Sequence, residues 1–263
     1  MTKKIVLLAA VVLLDACAKV PITGRRQLNL LPESEMMAMS LQAYQDFLQE
    51  NEPVPASDTR AEMVGRIGNK LASAATQFLK ENGASDRVEG FNWEFHVVDD
   101  PTVNAWCMPG GKVVVYTGIL PITQDEPSLA LVMGHEIAHA IARHGNERMS
   151  QAVAVQGAGI TLDVLSSQQP ALTRGLLLQS FGIGSQLGML AYIRNHESEA
   201  GKMGLVFMAM AGYDPRVAPA FWKRMAEQGG AKPPEILSTH PSDERRIADL
   251  EAYMPEALKY YKH

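Results

Sequence analysis

The stretch GHEIAHAIARHG, residues 134–145, most limits what this chain can fold into. His135 and His139 are four residues apart, so on a helix they lie one above the other on the same face. Two neutral imidazoles at that spacing can hold two corners of a tetrahedral Zn²⁺ site. Glu136 lies beside the first histidine, where it can exchange a proton with an attacking water rather than bind the metal. The pattern is the H-E-x-x-H signature, which predicts a catalytic zinc helix.

The neighbours of this motif indicate that its helix is buried. The apolar residues around the motif are Leu129, Ala130, Leu131, Val132, Ile137, Ala138 and Ala140. Two histidines in an apolar helix need partners for their polar atoms, and a metal ion would provide one. A pair of hydrogen-bonded core histidines is the alternative interpretation.

The third ligand has three candidates on the sequence alone. If the helix continued, His144 would lie about 140° round from His139 and would point away, as a helix-end residue favoured by the helix dipole. Glu197 and Glu199 are the other two candidates, in the stretch RNHESEAGKMG. Their directions on a helix differ by about 200°, so only one of them can point at the metal.

The composition is that of a globular protein with one sizeable core. The chain has 263 residues, of which 46% are hydrophobic and 20% charged. A net charge of −5 without a long basic run argues against nucleic acid as a partner. Helical spacing in residues 33–50, 58–82 and 189–211, and strand patterns in residues 91–98 and 109–120, predict a mainly helical α+β fold with a small sheet.

The N-terminus reads as a targeting segment. Residues 1–18 combine two lysines with an uninterrupted apolar run and small residues, which is the pattern of a secretory signal. The sequence LLDACAK resembles a bacterial lipoprotein box, in which Cys17 is lipidated and anchors the mature protein to the outer membrane, facing the periplasm. Ordinary cleavage after Ala18, with release into the periplasm, is the alternative. We expect residues 19–57 to form a leader and a helix, and residues 58–256 to form the main domain.

Six stretches together carry a resemblance to a known family. They are PITGRRQLNL, NAWCMPGGKVVVYTGIL, GHEIAHAIARHGNERMSQ, RNHESEA, MAMAGYDP and STHPSDERRI. They resemble the Ste24/Oma-type zinc metallopeptidases (family forty-eight, gluzincins), in their soluble bacterial lipoprotein branch. The resemblance covers most of the mature chain. It implies a zincin-like domain that binds one Zn²⁺ and has a small sheet beside the active-site helix.

The family pattern E-x-E-A-D implies roles for the second glutamate-rich stretch. Its first glutamate binds the metal and maps to Glu197. Glu199 is then a solvated or salt-bridged neighbour, and His196 lies at the surface or behind the ligands. Gly201 stands where the family has an aspartate that orients the imidazole of the first motif histidine, here His135. This departure predicts weaker support for that ligand, unless a backbone carbonyl or a water replaces the carboxylate.

The resemblance implies three further site residues. His240 is expected to approach the zinc as an extra ligand or to stabilise the oxyanion, although a lone loop histidine is usually just exposed. Arg246 is expected to help hold that loop, with a surface salt bridge as the alternative. Asn104 and the turn at residues 109–111 would shape the entrance to the strand at residues 112–116. That strand either pairs with an extended substrate at the sheet edge or is a plain core strand.

The sequence therefore predicts a zinc metalloendopeptidase of the cell envelope, with misfolded or stalled envelope proteins as substrates. In this interpretation Glu136 is the general base and then the general acid, and His240 is auxiliary. A protein of another class is the rival: an assembly factor that keeps the fold and the zinc but only holds its clients. Gly201 is the feature that favours the rival.

Overall fold

The computed structural model describes residues 17–156, 170–180, 190–228 and 243–262. The signal predicted for residues 1–18 lies outside the described residues except for its last two positions, and His240 lies outside them altogether. Of the helices within these ranges, none combines the length and the apolar character that a membrane span requires.

The described chain is mainly helical, with two small sheets. The helices are α1 (Glu33–Glu50), α2 (Thr59–Glu81), α3 (Leu120–Thr123), α4 (Glu126–Ile141), α5 (His144–Gln156), α6 (Pro170–Ser180), α7 (Leu190–Met210), α8 (Ala218–Gln228) and α9 (Asp243–Ala257). The strands are β1 (Cys17–Lys19), β2 (Arg26–Leu28), β3 (Glu94–Val98), β4 (Ala105–Met108) and β5 (Lys112–Tyr116). The prediction of a mainly helical, zincin-like α+β fold is confirmed.

Local signals explain where the long helices begin. The side chain of Asp58 accepts a hydrogen bond from the backbone N–H of Arg60 (2.8 Å) at the start of α2. Asp125 accepts one from the N–H of Ser128 (2.8 Å) at the start of α4, which also has a proline in its first turn. Both contacts satisfy N–H groups that have no partner within the helix. The helices predicted for residues 33–50, 58–82 and 189–211 agree with α1, α2 and α7 to within one residue at each end.

The main sheet has three strands in the order β3-β5-β4. β5 is parallel to β3 and antiparallel to β4, and all five of its residues are buried. β5 is thus the central strand, so its assignment as a substrate-binding edge strand is wrong and the plain core strand is the correct alternative. Its continuous apolar run suits a strand that is covered on both faces. α4 packs against β4, which lies at an edge of this sheet.

Two glycines let α4 and α7 approach each other closely. A Cβ atom on Gly204 would lie 2.9 Å from the backbone nitrogen of His135, and one on Gly134 would lie 3.2 Å from the carbonyl oxygen of Gly204. Contact with backbone this close leaves no room for a larger residue at position 204. Glu197 lies seven residues before Gly204, on the same face of α7. The crossing therefore brings this carboxylate towards the two motif histidines.

Residues 17–28 form a hairpin, here called the N-terminal hairpin, in which β1 and β2 pair antiparallel. The extended leader expected in this region is therefore a folded part of the molecule. The buried guanidinium of Arg87 donates hydrogen bonds to the carbonyl of Lys19 and to Oε1 of Gln27 (3.0 Å). Nε2 of Gln27 donates to the carbonyl of Ala142 (2.8 Å), one residue beyond the end of α4. These contacts fasten the hairpin to the end of the helix that carries both motif histidines.

Candidate metal centre

Three buried side chains converge where α4 crosses α7. The Nε2 atoms of His135 and His139 lie 3.1 Å apart. The Glu197 carboxylate faces them, with Oε2 3.3 Å from Nε2 of His135 and Oε1 3.2 Å from Nε2 of His139. Donors about 2.0–2.1 Å from a tetrahedral Zn²⁺ are separated by roughly 3.3–3.4 Å, so the spacing fits such an ion. Two imidazole nitrogens and one carboxylate oxygen form a group that could hold a metal ion.

Glu136 follows the first of these histidines in α4. Loss of hydration around its carboxyl, together with the negative charge of Glu197, raises the pKa of Glu136 to about 8 in the metal-free protein. A divalent cation between the three donors would oppose this rise, because it favours the ionised carboxylate. The protonation of Glu136 is therefore coupled to whether the site holds a cation.

His144 does not point away from the site, contrary to the sequence-based expectation. α4 ends at Ile141, and Arg143 has a φ of 58°, so His144 begins a new helix in a new direction. Its ring is fully buried, with Nδ1 2.9 Å from Nδ1 of His139. Burial lowers the pKa of His139 to about 3 and the pKa of His144 well below its usual range, so both rings are neutral at pH 7.

Glu199 is salt-bridged, as one of its predicted alternatives states, but it is not solvated. It is buried, and its Oε2 lies 3.1 Å from Nε2 of His144. Its Oε1 accepts hydrogen bonds from Thr23 Oγ1 (2.8 Å) and Arg25 Nε (2.8 Å), both in the N-terminal hairpin. Glu199 thus faces away from the three candidate ligands and connects the hairpin to the ring behind His139.

His196 and Glu147 complete the polar cluster behind His139. His196 is fully buried rather than at the surface, and its ring stacks on that of His144 with centroids 4.2 Å apart. Its Nε2 lies 2.9 Å from Oε2 of Glu147. Although burial opposes it, hydrogen bonds from Arg25 and His196 lower the pKa of Glu147 to about 2. The cluster therefore holds a carboxylate that is ionised throughout the physiological pH range.

Arg246 is buried beside the candidate metal ligands, so its alternative as a surface salt bridge is wrong. Its Nη2 donates a hydrogen bond to Oε2 of Glu197 (2.9 Å). Its guanidinium lies over the ring of Trp222, 4.1 Å from the centroid, and this ring lies 6.0 Å from that of His135. Arg246 thus orients the third candidate ligand. The loop it is expected to hold lies outside the described residues.

The surroundings of His135 differ from those of His139. Gly201 borders a small cavity beside this ring, together with Lys202, Asp249 and Leu250. The cavity has room for about one water-sized sphere, near 10 Å³, which is the lower limit for a bound water. Within the described ranges, no hydrogen bond is found to Nδ1 of His135. Gly201 itself therefore provides no carboxylate to this candidate ligand, and Asp249 is the carboxylate on the opposite element that borders the same cavity.

The remaining predicted site residues stay predictions. His240 lies outside the described residues. Asn104 immediately precedes β4, and its carbonyl oxygen accepts a hydrogen bond from the N–H of Tyr116 (3.1 Å). Cys17 begins β1, and its side chain is outside what the structure describes.

Sequence reasoning assigned no site role to Arg25 or Glu147 and misplaced His144. All three occur in stretches that carry the family resemblance, PITGRRQLNL and GHEIAHAIARHGNERMSQ, so the motifs contained the signal. Their chemistry appears only when distant parts of the chain meet, since Arg25 and Glu199 are 174 residues apart.

Comparison with known proteins gives consistent matches. The model of peptidase family M48 matches residues 60–254. The mitochondrial metalloendopeptidase OMA1 of Schizosaccharomyces pombe is 36% identical over 246 residues, which are 90% of this chain and 66% of that protein. The human protein, "Metalloendopeptidase OMA1, mitochondrial", is 33% identical over 248 residues, which are 91% of this chain and 46% of that protein.

A bacterial relative matches a shorter region. The putative beta-barrel assembly-enhancing protease of Vibrio cholerae is 30% identical over 215 residues, which are 79% of this chain and 42% of that protein. The chain spans less than two thirds of the length of these relatives. The family match nevertheless covers well over half of this chain and contains both motif histidines, Glu136 and Glu197. By sequence and by the geometry of its buried site, the chain belongs to peptidase family M48.

Proposed function

We propose that the protein is a zinc-dependent metalloendopeptidase. One observation carries the proposal: two imidazole nitrogens and a carboxylate converge at tetrahedral spacing beside a glutamate that follows the first histidine. Three protein ligands are typical of catalytic zinc sites, whereas structural sites favour four closed protein ligands. His135, His139 and Glu197 would hold one Zn²⁺. When bound, Zn²⁺ polarises the peptide carbonyl and acidifies the attacking water.

Glu136 is the proposed general base and then general acid. Its carboxylate would accept a proton from the attacking water and donate that proton to the leaving amine. Its position supports this use, because Glu136 directly follows His135 in α4 and lies close enough to Glu197 for that charge to act on its carboxyl. His240 is proposed to stabilise the oxyanion. Arg246 would keep the Glu197 carboxylate aimed at the ion.

The proposed substrates are unfolded or misfolded proteins of the cell envelope. The names of two bacterial relatives, which describe proteases that enhance β-barrel assembly, support this class. Hydrogen bonds between a strand and the substrate backbone depend little on the substrate's sequence, so this mode of binding suits unfolded chains. β4 lies at the sheet edge beside α4, with Asn104 at its start, and is the strand we propose for this pairing.

The proposed location is the periplasmic face of the outer membrane. The segment before Cys17 supports export, and the LLDACAK sequence supports lipidation of Cys17. Cleavage after Ala18 would instead release the protein into the periplasm. Mass spectrometry of the mature N-terminus distinguishes the two, because a diacylglyceryl group on Cys17 changes both the mass and the first residue.

The test combines zinc content with cleavage by a Glu136→Gln variant. We expect about one zinc per chain in both the parent and the variant, because Glu136 is not a ligand. Cleavage of an unfolded protein such as casein should fall by about 10²–10⁴-fold in the variant. Glu62→Gln, at an exposed position on α2, is the matched control and should cleave like the parent. Equal cleavage by the parent and Glu136→Gln would contradict the assigned role.

A non-proteolytic assembly factor is the second candidate. The observation that favours it is Gly201, which has no side chain to support His135 and borders a small cavity beside this ring. Such a protein would bind unfolded clients without cleaving them. Glu136→Gln discriminates between the two, because a holding factor keeps its cellular phenotype in this variant and an enzyme loses it.

A further inference from the structure

We propose that Arg25 is a positioning residue of the metal centre, which holds Glu199 and, through His144, fixes the orientation and tautomer of His139. The inference rests on the proposed zinc site. It extends that site to the N-terminal hairpin, which precedes the region matched by the family model.

The guanidinium of Arg25 lies between two buried carboxylates. Nε and Nη2 donate to Oε1 and Oε2 of Glu199 (2.8 and 3.0 Å). Nη1 and Nη2 donate to Oε1 and Oε2 of Glu147 (2.8 and 2.7 Å). A planar fork that contacts both oxygens of each carboxylate fixes their directions as well as their charges, which a single ammonium cannot do. Arg25 therefore defines where the carboxylate of Glu199 points.

Glu199 passes this constraint to His144. Oε2 of Glu199 lies 3.1 Å from Nε2 of His144, and both oxygens of Glu199 already accept hydrogen bonds from Arg25, so Oε2 is the acceptor here too. The contact therefore places the proton of the neutral His144 ring on Nε2. Nδ1 of His144 is then left as an acceptor, and it lies 2.9 Å from Nδ1 of His139.

His139 receives the last constraint of the chain. Its Nδ1 must donate to Nδ1 of His144, so the proton of its neutral ring is on Nδ1 and Nε2 carries the free lone pair. Nε2 is the atom that faces Glu197 and His135. The donor of each hydrogen bond is thus fixed: His139 donates to His144 and His144 donates to Glu199, which also accepts from Arg25. Partners behind a ligating histidine set its tautomer, its ring orientation and its basicity.

Attachment of the hairpin alone does not account for this arrangement. The hairpin and the residues after it are also held by Arg87, by Gln27 on the carbonyl of Ala142 and by the N–H of Leu30 on Oγ of Ser150 (2.9 Å). None of these contacts uses Arg25. Its side chain is 23% exposed, whereas the carboxylates it binds are 2% and 6% exposed, so it enters the site from the rim and points inward.

The experiment measures zinc affinity and cobalt spectra rather than activity alone. The purified protein is compared with Arg25→Gln and Arg25→Lys, and with Arg26→Gln as the matched control, because Arg26 is the exposed neighbour in the same hairpin. Zinc dissociation constants come from competition with a chromophoric chelator. The visible absorption of Co²⁺ in the same site reports the ligand geometry. Urea unfolding without metal measures the structural contribution of each side chain separately.

We expect Arg25→Gln to weaken zinc binding about 10–100-fold and to alter the Co²⁺ spectrum, as does loss of other groups that orient ligands. Arg25→Lys should recover part of the affinity, since it restores the charge but not the fork. Arg26→Gln should match the parent. Arg25→Gln made on a Glu199→Gln background should cost little further affinity, because the proposed route passes through Glu199.

Four outcomes would overturn the inference. If the zinc affinity of Arg25→Gln is within twofold of the parent, this inference is wrong but the proposed function is not. The same holds if the losses of zinc affinity from Arg25→Gln and Glu199→Gln are additive in the double variant. A parent protein that binds no zinc would overturn the proposed function and this inference together. If Arg25→Gln lowers the stability of the metal-free protein but leaves zinc affinity unchanged, Arg25 only stabilises the fold.

Discussion

His135 and His139 lie one turn apart on the same helix, yet their far sides differ. Behind His139, a buried chain of His144, Glu199 and Arg25 connects the ligand to the N-terminal hairpin. Beside His135 there is a small cavity bordered by Gly201 and Asp249, and within the described ranges no hydrogen bond to Nδ1 of this ring is found. The difference teaches that two histidines of one candidate metal site can be held by very different numbers of hydrogen-bonded neighbours. In this protein one candidate ligand has a glycine beside it, while the other is held by three separate segments of the chain.

The largest expected effect comes from Gly204→Ala, which would displace α4 from α7 and so disturb both His135 and His139. The added methyl would meet backbone atoms of Gly134 and His135 at 2.9–3.1 Å, and backbone cannot move aside like a side-chain tip. We expect a loss of about 3 kcal/mol in unfolding free energy, at the upper end for overpacking, together with weakened zinc binding. Urea unfolding and chelator competition measure the two effects.

Gly65→Ala is the matched control for that change. A Cβ there meets nothing within 4 Å, and α2 should gain up to about 1 kcal/mol from the better helix former. Equal stability of the Gly204→Ala variant and the parent would show that the close crossing of α4 and α7 is not required.

His144→Phe would remove the hydrogen bond that supports His139 and leave the surroundings of His135 unchanged. Phenylalanine fills a similar volume but offers no acceptor to Nδ1 of His139, so the tautomer and direction of that ligand are no longer held. We expect zinc affinity to fall by about 10–100-fold. Isothermal titration at pH 7.5 measures it. An unchanged affinity would mean that the metal orients His139 without help from behind.

Gly201→Asp would place a carboxylate beside His135. A Cβ at this position would lie 3.1 Å from Cδ2 of Leu250, the flexible end of a side chain, so the residue can be accommodated. We expect about tenfold tighter zinc binding, at the lower end for a carboxylate behind a ligand, and faster cleavage.

Gly201→Asn is the control for Gly201→Asp, because it adds the same volume without the charge. Gly201→Ala adds only the methyl and removes a glycine from the helix interior. Tighter binding in all three variants would assign the gain to helix stability. No gain in any of them would mean that His135 is already adequately held.

The smallest expected effect is a pH dependence of metal-free stability caused by Glu136. Its pKa is about 8 when folded and near 4.5 when unfolded, so below pH 4.5 both states carry the proton. Between pH 4.5 and 8 the unfolded chain ionises first, and the unfolding free energy falls as the pH rises. Glu136→Gln removes this loss of stability. The unfolding free energy of the variant should therefore rise relative to that of the parent from pH 5 to pH 8.

The gain should be on the order of 1 kcal/mol, because water at a partly exposed carboxyl screens the effect. Urea unfolding in the presence of a chelator, repeated at several pH values, measures the difference between the two proteins. A difference that stays constant from pH 5 to pH 8 would show that Glu136 does not titrate in this range.

Local patterns predicted much of this molecule. The bounds of α1, α2 and α7 follow from helical spacing and from capping residues such as Asp58. The pairing of His135 with His139 follows from the helical repeat. The choice of Glu197 over Glu199 came from the family pattern, and the structure places Glu197 with the histidines.

Predictions that extended a local rule across a chain reversal were wrong. The angle assigned to His144 assumed that α4 continued, but the helix ends at Ile141 and the chain turns at Arg143. The order of strands in the sheet was also beyond sequence reasoning, because an apolar run shows that β5 is buried but not which strands flank it.

The sequence by itself determined the main elements and the candidate groups of the site: a helix with two histidines and a glutamate, and a later helix with two candidate carboxylates. Helical repeats and caps act over a few residues, so they can be read along the chain. Only the tertiary structure decided what stands behind each ligand. Arg25 reaches Glu199 across 174 residues, and Gly204 sets the distance between two helices. Such contacts depend on the packing of the whole core, which no local pattern contains.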